Sequence, residues 1–199
     1  MNHDPFGRSE APAGDGGQPA CGGPLVVLTG PPAAGKSVVG GLLARRFGAA
    51  FTDTDSDVEA AAGKPAGDIF IEDGEPVFRD LERAAVSRAL GSDGAVVALG
   101  SGAVLDAGIR EMLAGRRVAY LQAGFATIAR RLGLDRPRVV VPGNPRGRLR
   151  GLLEDRRHIY EGLARLTVPA DELAPEEIAD EIAAWLENEA GARPAGGRS

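Results

Sequence analysis

The chain has 199 residues, about the length of one domain, and its hydrophobic content of 43% is enough to bury a sizeable core. A net charge of −5 and a pI near 5.2 argue against a general nucleic-acid binder, which carries a basic face. No apolar run approaches the roughly 18–20 residues needed to span a bilayer, and the single cysteine, Cys21, has no disulfide partner, which fits a cytoplasmic setting.

Residues 1–23 are dominated by Gly, Ala, Pro and polar residues with no apolar periodicity, and they read as a disordered tail. They lack a basic segment followed by an apolar one, so no secretory signal is expected. Folding is expected over 24–190 as one domain, and residues 191–199 read as a second loose tail.

"PLVVLTG", starting at Pro24, is short, β-branched and bounded by Pro and Gly, the pattern of a buried strand. Gly30-Pro31-Pro32-Ala33-Ala34-Gly35-Lys36-Ser37 follows it and leads into the amphipathic helix "KSVVGGLLARRFG". This is G-x-x-x-x-G-K-[ST] in the strand-then-helix context that makes it a phosphate loop. Backbone N–H groups and the helix N-terminus form a concave site for phosphate oxygens. Lys36 would reach the β/γ-phosphates, and Ser37 Oγ would ligate Mg²⁺.

"AAFTDTD" reads as a second strand ending in acids. Alternation along it would send Asp53 and Asp55 to one side, one carboxylate to help hold a metal and the other to orient a hydroxyl. A bare acidic helix start is the competing reading, and it is the one adopted for Asp57. A short helix follows over 56–63, then two helical segments over 65–91 broken at Asp73-Gly74. In the second, Arg79 and Glu82 are three apart on one face, either a surface ion pair or an arginine held to grip an anion.

"GAVVALGSGAVL" reads as a buried strand running into a tight turn, whose small residues let backbone approach a ligand. A helix over 106–115, a strand over 116–123 and a helix over 124–133 come next. "RPRVVVPGNPRGR" breaks the rhythm and reads as a mobile loop, before a helix over 148–166, a short strand "LTVPA" and a closing helix over 174–189. From Arg130 to Arg157 there are nine arginines against Asp135, Glu154 and Asp155. Alternating strands and helices predict an α/β domain with a parallel central sheet.

Together GxxxxGKS, "DTD", "DIF…DGE…FR…E", the glycine turn after "VVAL", the arginine run and "RRHIY" resemble the shikimate kinase family over about residues 25–186. The resemblance implies a three-layer P-loop kinase fold with helices on both faces of the sheet and a mobile Arg-rich lid at about 136–150. It also implies Mg²⁺-dependent transfer of the ATP γ-phosphoryl group to the 3-hydroxyl of shikimate, for aromatic amino acid biosynthesis. By the same resemblance Ser37 and Asp53 serve the metal, Asp55 orients or deprotonates the acceptor hydroxyl, and Arg79 and Arg156 grip its carboxylate with Glu82 supporting Arg79. Gly100, Ser101 and Gly102 line that pocket, with Phe70 and Phe78 its apolar wall; Ala33, Ala34, Gly35, Lys36, Ser37 and Val38 hold ATP, flanked by Arg131 and Pro175 at the base. Arg136 and Arg138 compete for the lid arginine that neutralises the transferring phosphoryl group; an ungapped reading favours Arg138.

Four positions depart from the family pattern. Ala33 replaces a glycine, Val38 a threonine, Ser101 the middle glycine of three, and Val139 a proline. Ala33 is mild if its backbone is ordinary, whereas Ser101 is strained if the turn needs a positive φ. Other readings therefore stay open: a paralogue acting on an aminoshikimate, a cyclitol or gluconate, or a nucleotide-binding protein without turnover. The expected partners are ATP and a small carboxylated polyol, with no nucleic acid and no membrane, in a cytoplasmic monomer.

Overall fold

The protein is described here by a computed structural model covering residues 23–134 and 144–191. The expected tail residues up to position 22 and from 192 onward, Cys21, and the lid residues Arg136, Arg138 and Val139 lie outside the described residues.

Five parallel strands run in the order β2-β3-β1-β4-β5. They are β1 (Val26–Thr29), β2 (Phe51–Asp53), β3 (Val96–Ala98), β4 (Val118–Gln122) and β5 (Leu166–Pro169). β1 is central, with Val27 in register with Val97 on one side and Val118 on the other. β1 and β3 are buried throughout, as parallel strands covered on both faces must be, which is why they read as unbroken apolar runs.

Alternation along each strand divides the core between two helical layers. Val26, Leu28, Ala119, Leu121 and Val168 pack with Leu43 of α1 (Lys36–Phe47) and with Ile178 and Ile182 of α8 (Pro175–Gly191). Val27, Val97 and Val118 pack instead with Val86 of α4 (Glu75–Leu90) and Ile109 of α5 (Ala107–Leu113). On that same side Tyr120 meets Tyr160 of α7 (Pro145–Leu163). This is the three-layer P-loop kinase architecture. Leu28 and Leu43 are fully buried and contribute roughly 1.5–3 kcal/mol each, fixing the strand and helix that carry the phosphate loop. Beyond the sheet edge, α2 (Thr54–Ala62) and α3 (Ala66–Glu72) close a smaller cluster of Val58, Ile69, Phe78 and Ala85.

Two sequence expectations are corrected. The second strand, expected through Asp55, ends at Asp53, because the Asp53 side chain accepts from the Asp55 and Ser56 amides and caps α2. The strand read within 94–105 spans Val96–Ala98 and runs into the expected turn, which closes in a short 3-10 helix at Ala103–Leu105. Residues 145–147, expected in a mobile loop before a helix over 148–166, are already the first turn of α7, started by Pro145 and capped by Asn144 Oδ1 accepting from the Gly147 amide at 2.8 Å.

Candidate active site

The loop between β1 and α1 turns through Gly30 and Gly35 at positive φ, Gly35 being the left-handed N-cap of α1. Ala33 is also left-handed, at φ 58°. The condition under which alanine would be a mild replacement, an ordinary backbone, is thus not met: the loop keeps a glycine conformation there without the glycine. Lys36 Nζ donates to the Gly30 and Pro31 carbonyls, both at 3.0 Å, which holds the ammonium inside the curve of the loop. Burial lowers its pKa from 10.5 to about 8, opposed by the nearby Asp55 and Asp53 carboxylates.

A cavity of about 520 Å³ opens over this loop, lined by Ala33, Ala34, Gly35, Lys36, Ser37, Val38, Asp53, Asp55, Ser101, Arg131 and Pro175, among others. Val38 presents a 57% exposed apolar side chain where a hydroxyl was expected from the family pattern. Arg131 reaches back from α6 (Phe125–Arg131) and donates Nη1 to the Ala33 and Ala34 carbonyls at 2.9 and 3.0 Å. Its Nη2 donates to the Ala170 carbonyl at 3.2 Å, so the arginine ties the phosphate loop to the segment that leads to Pro175.

Ser37 Oγ donates to Asp53 Oδ2, placing a hydroxyl and a carboxylate side by side at the loop. Among the described residues no group of three or more His, Cys, Asp or Glu is arranged to hold a metal. The pair fits Mg²⁺ nonetheless, since that ion takes one or two protein oxygens and completes its shell with phosphates and water.

Asp55 is brought to the same cavity, though not by strand alternation. It stands in the first turn of α2, and its position is defined by the turn after β3. The Gly100 amide donates to Thr54 Oγ1 at 2.9 Å, and a Cβ on Gly100 would overlap Asp55 Oδ1. Burial raises the Asp55 pKa, against the pull of Lys36.

The next two residues of this turn meet the two predicted arginines. The Ser101 carbonyl accepts from Arg156 Nη1 at 3.3 Å, and a Cβ on Gly102 would sit 3.1 Å from Arg79 Nη1. Three consecutive residues thus abut an acid and two arginines drawn from three different helices. Ser101 is not in the positive-φ region, so the strain conditionally expected there is absent.

Arg79 is held on two sides. Its Nη1 donates to Glu82 Oε2 at 2.7 Å, and its Nε and Nη2 donate to Glu75 Oε1 at 3.3 and 3.2 Å. Its guanidinium also lies over the Phe70 and Phe78 rings, which meet tilted by 33° at 4.3 Å between centroids. Glu82 is only 2% exposed, and burial raises its pKa in spite of Arg79.

Sequence reasoning missed Glu75, Thr54 and the role of Tyr160. Glu75 was findable, being four residues before Arg79 on the same helix face. Thr54 and Tyr160 act on the distant 100–102 turn, for which the local pattern holds no signal. Among the described residues the arginines of this run point to different places: Arg131 turns to the phosphate loop, Arg146 and Arg150 lie over Phe125, and Arg156 turns to Ser101. No helix among the described residues is long and apolar enough to cross a membrane.

A half-buried loop lysine facing two carboxylates, beside a turn flanked by arginines, defines a phosphotransferase of the P-loop kinase class. A family model described as shikimate kinase matches residues 32–187. The shikimate kinase of Thermobifida fusca is 53% identical over 163 residues, covering 82% of this chain and 95% of that protein. The shikimate kinase of Streptomyces avermitilis is 47% identical over 164 residues, covering 82% and 96%. Among solved structures, shikimate kinase from Acinetobacter baumannii in complex with shikimate superposes with a TM-score of 0.76 at 31% identity, over 85% of this chain and 95% of that one. The chain belongs to the shikimate kinase family, and it is a kinase with an alcohol acceptor.

Proposed function

We propose that the protein transfers the γ-phosphoryl group of ATP to the 3-hydroxyl of shikimate, giving shikimate 3-phosphate and ADP for aromatic amino acid biosynthesis. The observation that carries this reading is the 100–102 turn, where Asp55, Arg156 and Arg79 converge on Gly100, Ser101 and Gly102. One carboxylate and two guanidinium groups suit an acceptor with a hydroxyl at one end and a carboxylate at the other.

Lys36 leaves its loop carbonyls to pair with the β/γ-phosphates, and the Gly35–Val38 amides cradle the phosphate oxygens. Asp55, its pKa raised by burial and near the loop, orients the acceptor hydroxyl and takes up its proton. Arg79 and Arg156 bind the acceptor carboxylate, Glu82 and Glu75 fixing the fork of Arg79. Ser37 and Asp53 would hold Mg²⁺, which when bound neutralises charge on the phosphates. Arg131 and Pro175 border the base, and Arg138 closes over the transferring group from the lid; Arg136 is its alternative. Catalysis then rests on positioning and charge neutralisation. The protein is proposed to act as a monomer in the cytoplasm.

The test is an ADP-release assay with Mg·ATP and a panel of acceptors: shikimate, an aminoshikimate, a cyclitol and gluconate. Turnover is expected with shikimate and lost in Asp55→Asn and Arg79→Ala. Preference for another acceptor, or unchanged rates in both variants, overturns the reading.

A further inference from the structure

The Ser101 carbonyl accepts two hydrogen bonds from one helix. Arg156 Nη1 donates at 3.3 Å, and Tyr160 Oη donates at 2.8 Å. The two donors are four residues apart on α7 and so share a face. They differ in setting, because Tyr160 is 1% exposed whereas Arg156 is half-buried. The Tyr160 ring stacks on Tyr120 at 5.2 Å between centroids, inclined by 21°.

We infer that Tyr160 is a positioning residue for the acceptor: its hydroxyl anchors the 100–102 turn to α7 so that Arg156 is free to leave the Ser101 carbonyl for the substrate carboxylate. A charge-assisted bond to carboxylate is stronger than one to a neutral carbonyl, so a carboxylate acceptor draws the guanidinium away. Without a second donor that carbonyl would lose its partner at the moment of binding, and the turn would resist the change. Tyr160 keeps the acceptor satisfied in both states, and with it the placement of Gly100 against Asp55 and of Gly102 against Arg79. Burial pushes the Tyr160 hydroxyl up to about 12, so it remains a donor throughout the working pH range. The ring is 1% exposed and stacked on Tyr120, so it is held by packing as well as by its hydroxyl.

The inference rests on shikimate being the acceptor, and the experiment separates the two. Tyr160→Phe keeps the ring and removes only the donor; Tyr120→Phe removes the other hydroxyl of the same stack and serves as control. Steady-state kinetics of Tyr160→Phe should show the KM for shikimate raised about fivefold to tenfold with the KM for ATP unchanged. Tyr120→Phe should change neither. Amide exchange at Ala103, whose N–H closes the turn on the Gly100 carbonyl at 3.1 Å, should quicken in Tyr160→Phe and not in Tyr120→Phe, with no substrate present. An unaltered shikimate KM together with unaltered Ala103 exchange overturns the inference, as does an equal rise in both KM values. Failure of the wild-type protein to phosphorylate shikimate overturns the functional reading instead, and the exchange result then decides the anchor alone. Should Tyr160→Phe not fold, fluorotyrosine labelling of the wild-type protein gives two resonances, one for each of its two tyrosines. The Tyr160 signal must then shift on adding shikimate and stay in place with ATP alone; a signal unmoved by shikimate overturns the inference.

Discussion

Gly100 and Asp55 occupy each other's space so closely that a Cβ on the glycine would lie 3.1 Å from the Asp55 Cγ and overlap its Oδ1. Gly100 is not among the positive-φ residues, so its backbone would accept alanine. Gly100→Ala should therefore displace the Asp55 carboxylate while leaving the fold intact. A misplacement of about 1 Å costs on the order of 10²-fold in rate. A kcat loss of that size, with an unchanged thermal midpoint and ATP KM, is the expected outcome; a kcat near the wild-type value would show that Asp55 tolerates movement.

Glu82 is buried against Arg79 and has its pKa raised by that burial, so the ion pair is retained at some expense of stability. Its use is to hold the guanidinium toward Gly102. Glu82→Gln keeps the shape and one hydrogen bond but removes the charge. The KM for shikimate should rise about tenfold, while the protein becomes no less stable by denaturant titration. Equal acceptor KM values in the two proteins would mean Glu75 alone fixes Arg79.

What could be read from the sequence was what depends on near neighbours. The phosphate loop, the order of strands and helices, and the pairing of Arg79 with Glu82 all involve residues close along the chain. Asp53 and Asp55 were rightly placed at one site on a wrong argument. Strand periodicity was applied through both, yet Asp53 serves as a helix cap and ends the strand. The start of α7 at Pro145 was obscured because a Pro-, Gly- and Arg-rich stretch resembles a loop, although Asn144 and Pro145 are a cap and a first helical residue. The clamps of the site were beyond reach for a different reason. Arg131 meets Ala33 across 98 positions and Tyr160 meets Ser101 across 59, and such contacts arise from tertiary packing that leaves no local pattern.

Lys36 gives the site a signature in pH. Its pKa of about 8 in the folded, nucleotide-free protein stands below the ordinary 10.5 because burial disfavours the charged form. Between those values the unfolded chain holds a proton that the folded one has released, so this group makes stability rise with pH across that window. Binding a triphosphate restores the charge. Just above pH 8, ATP binding should therefore take up a proton, and affinity should fall as pH rises further. Titration calorimetry in buffers of different ionisation enthalpy measures the uptake, which Lys36→Met should abolish. Binding without proton uptake would place the lysine pKa far above 8.

Ala33 is the one non-glycine among the described residues with a positive φ, at 58°. A left-handed L-residue costs roughly 1–2 kcal/mol, whereas a glycine there loses about 0.5–1 kcal/mol more backbone entropy on folding. Ala33→Gly should thus stabilise the nucleotide-free protein by up to about 1 kcal/mol. ATP affinity should change little, because Arg131 bonds the carbonyl of residue 33 and not its side chain. Ala33→Val should do the reverse, since a β-branched residue fits the left-handed region worst. It should lower stability and raise the KM for ATP as the loop distorts. Denaturant titration with a common slope, paired with ATP kinetics, reads both effects. A glycine variant less stable than the wild type would show that the loop's conformation is relieved elsewhere and that alanine is not strained at this position.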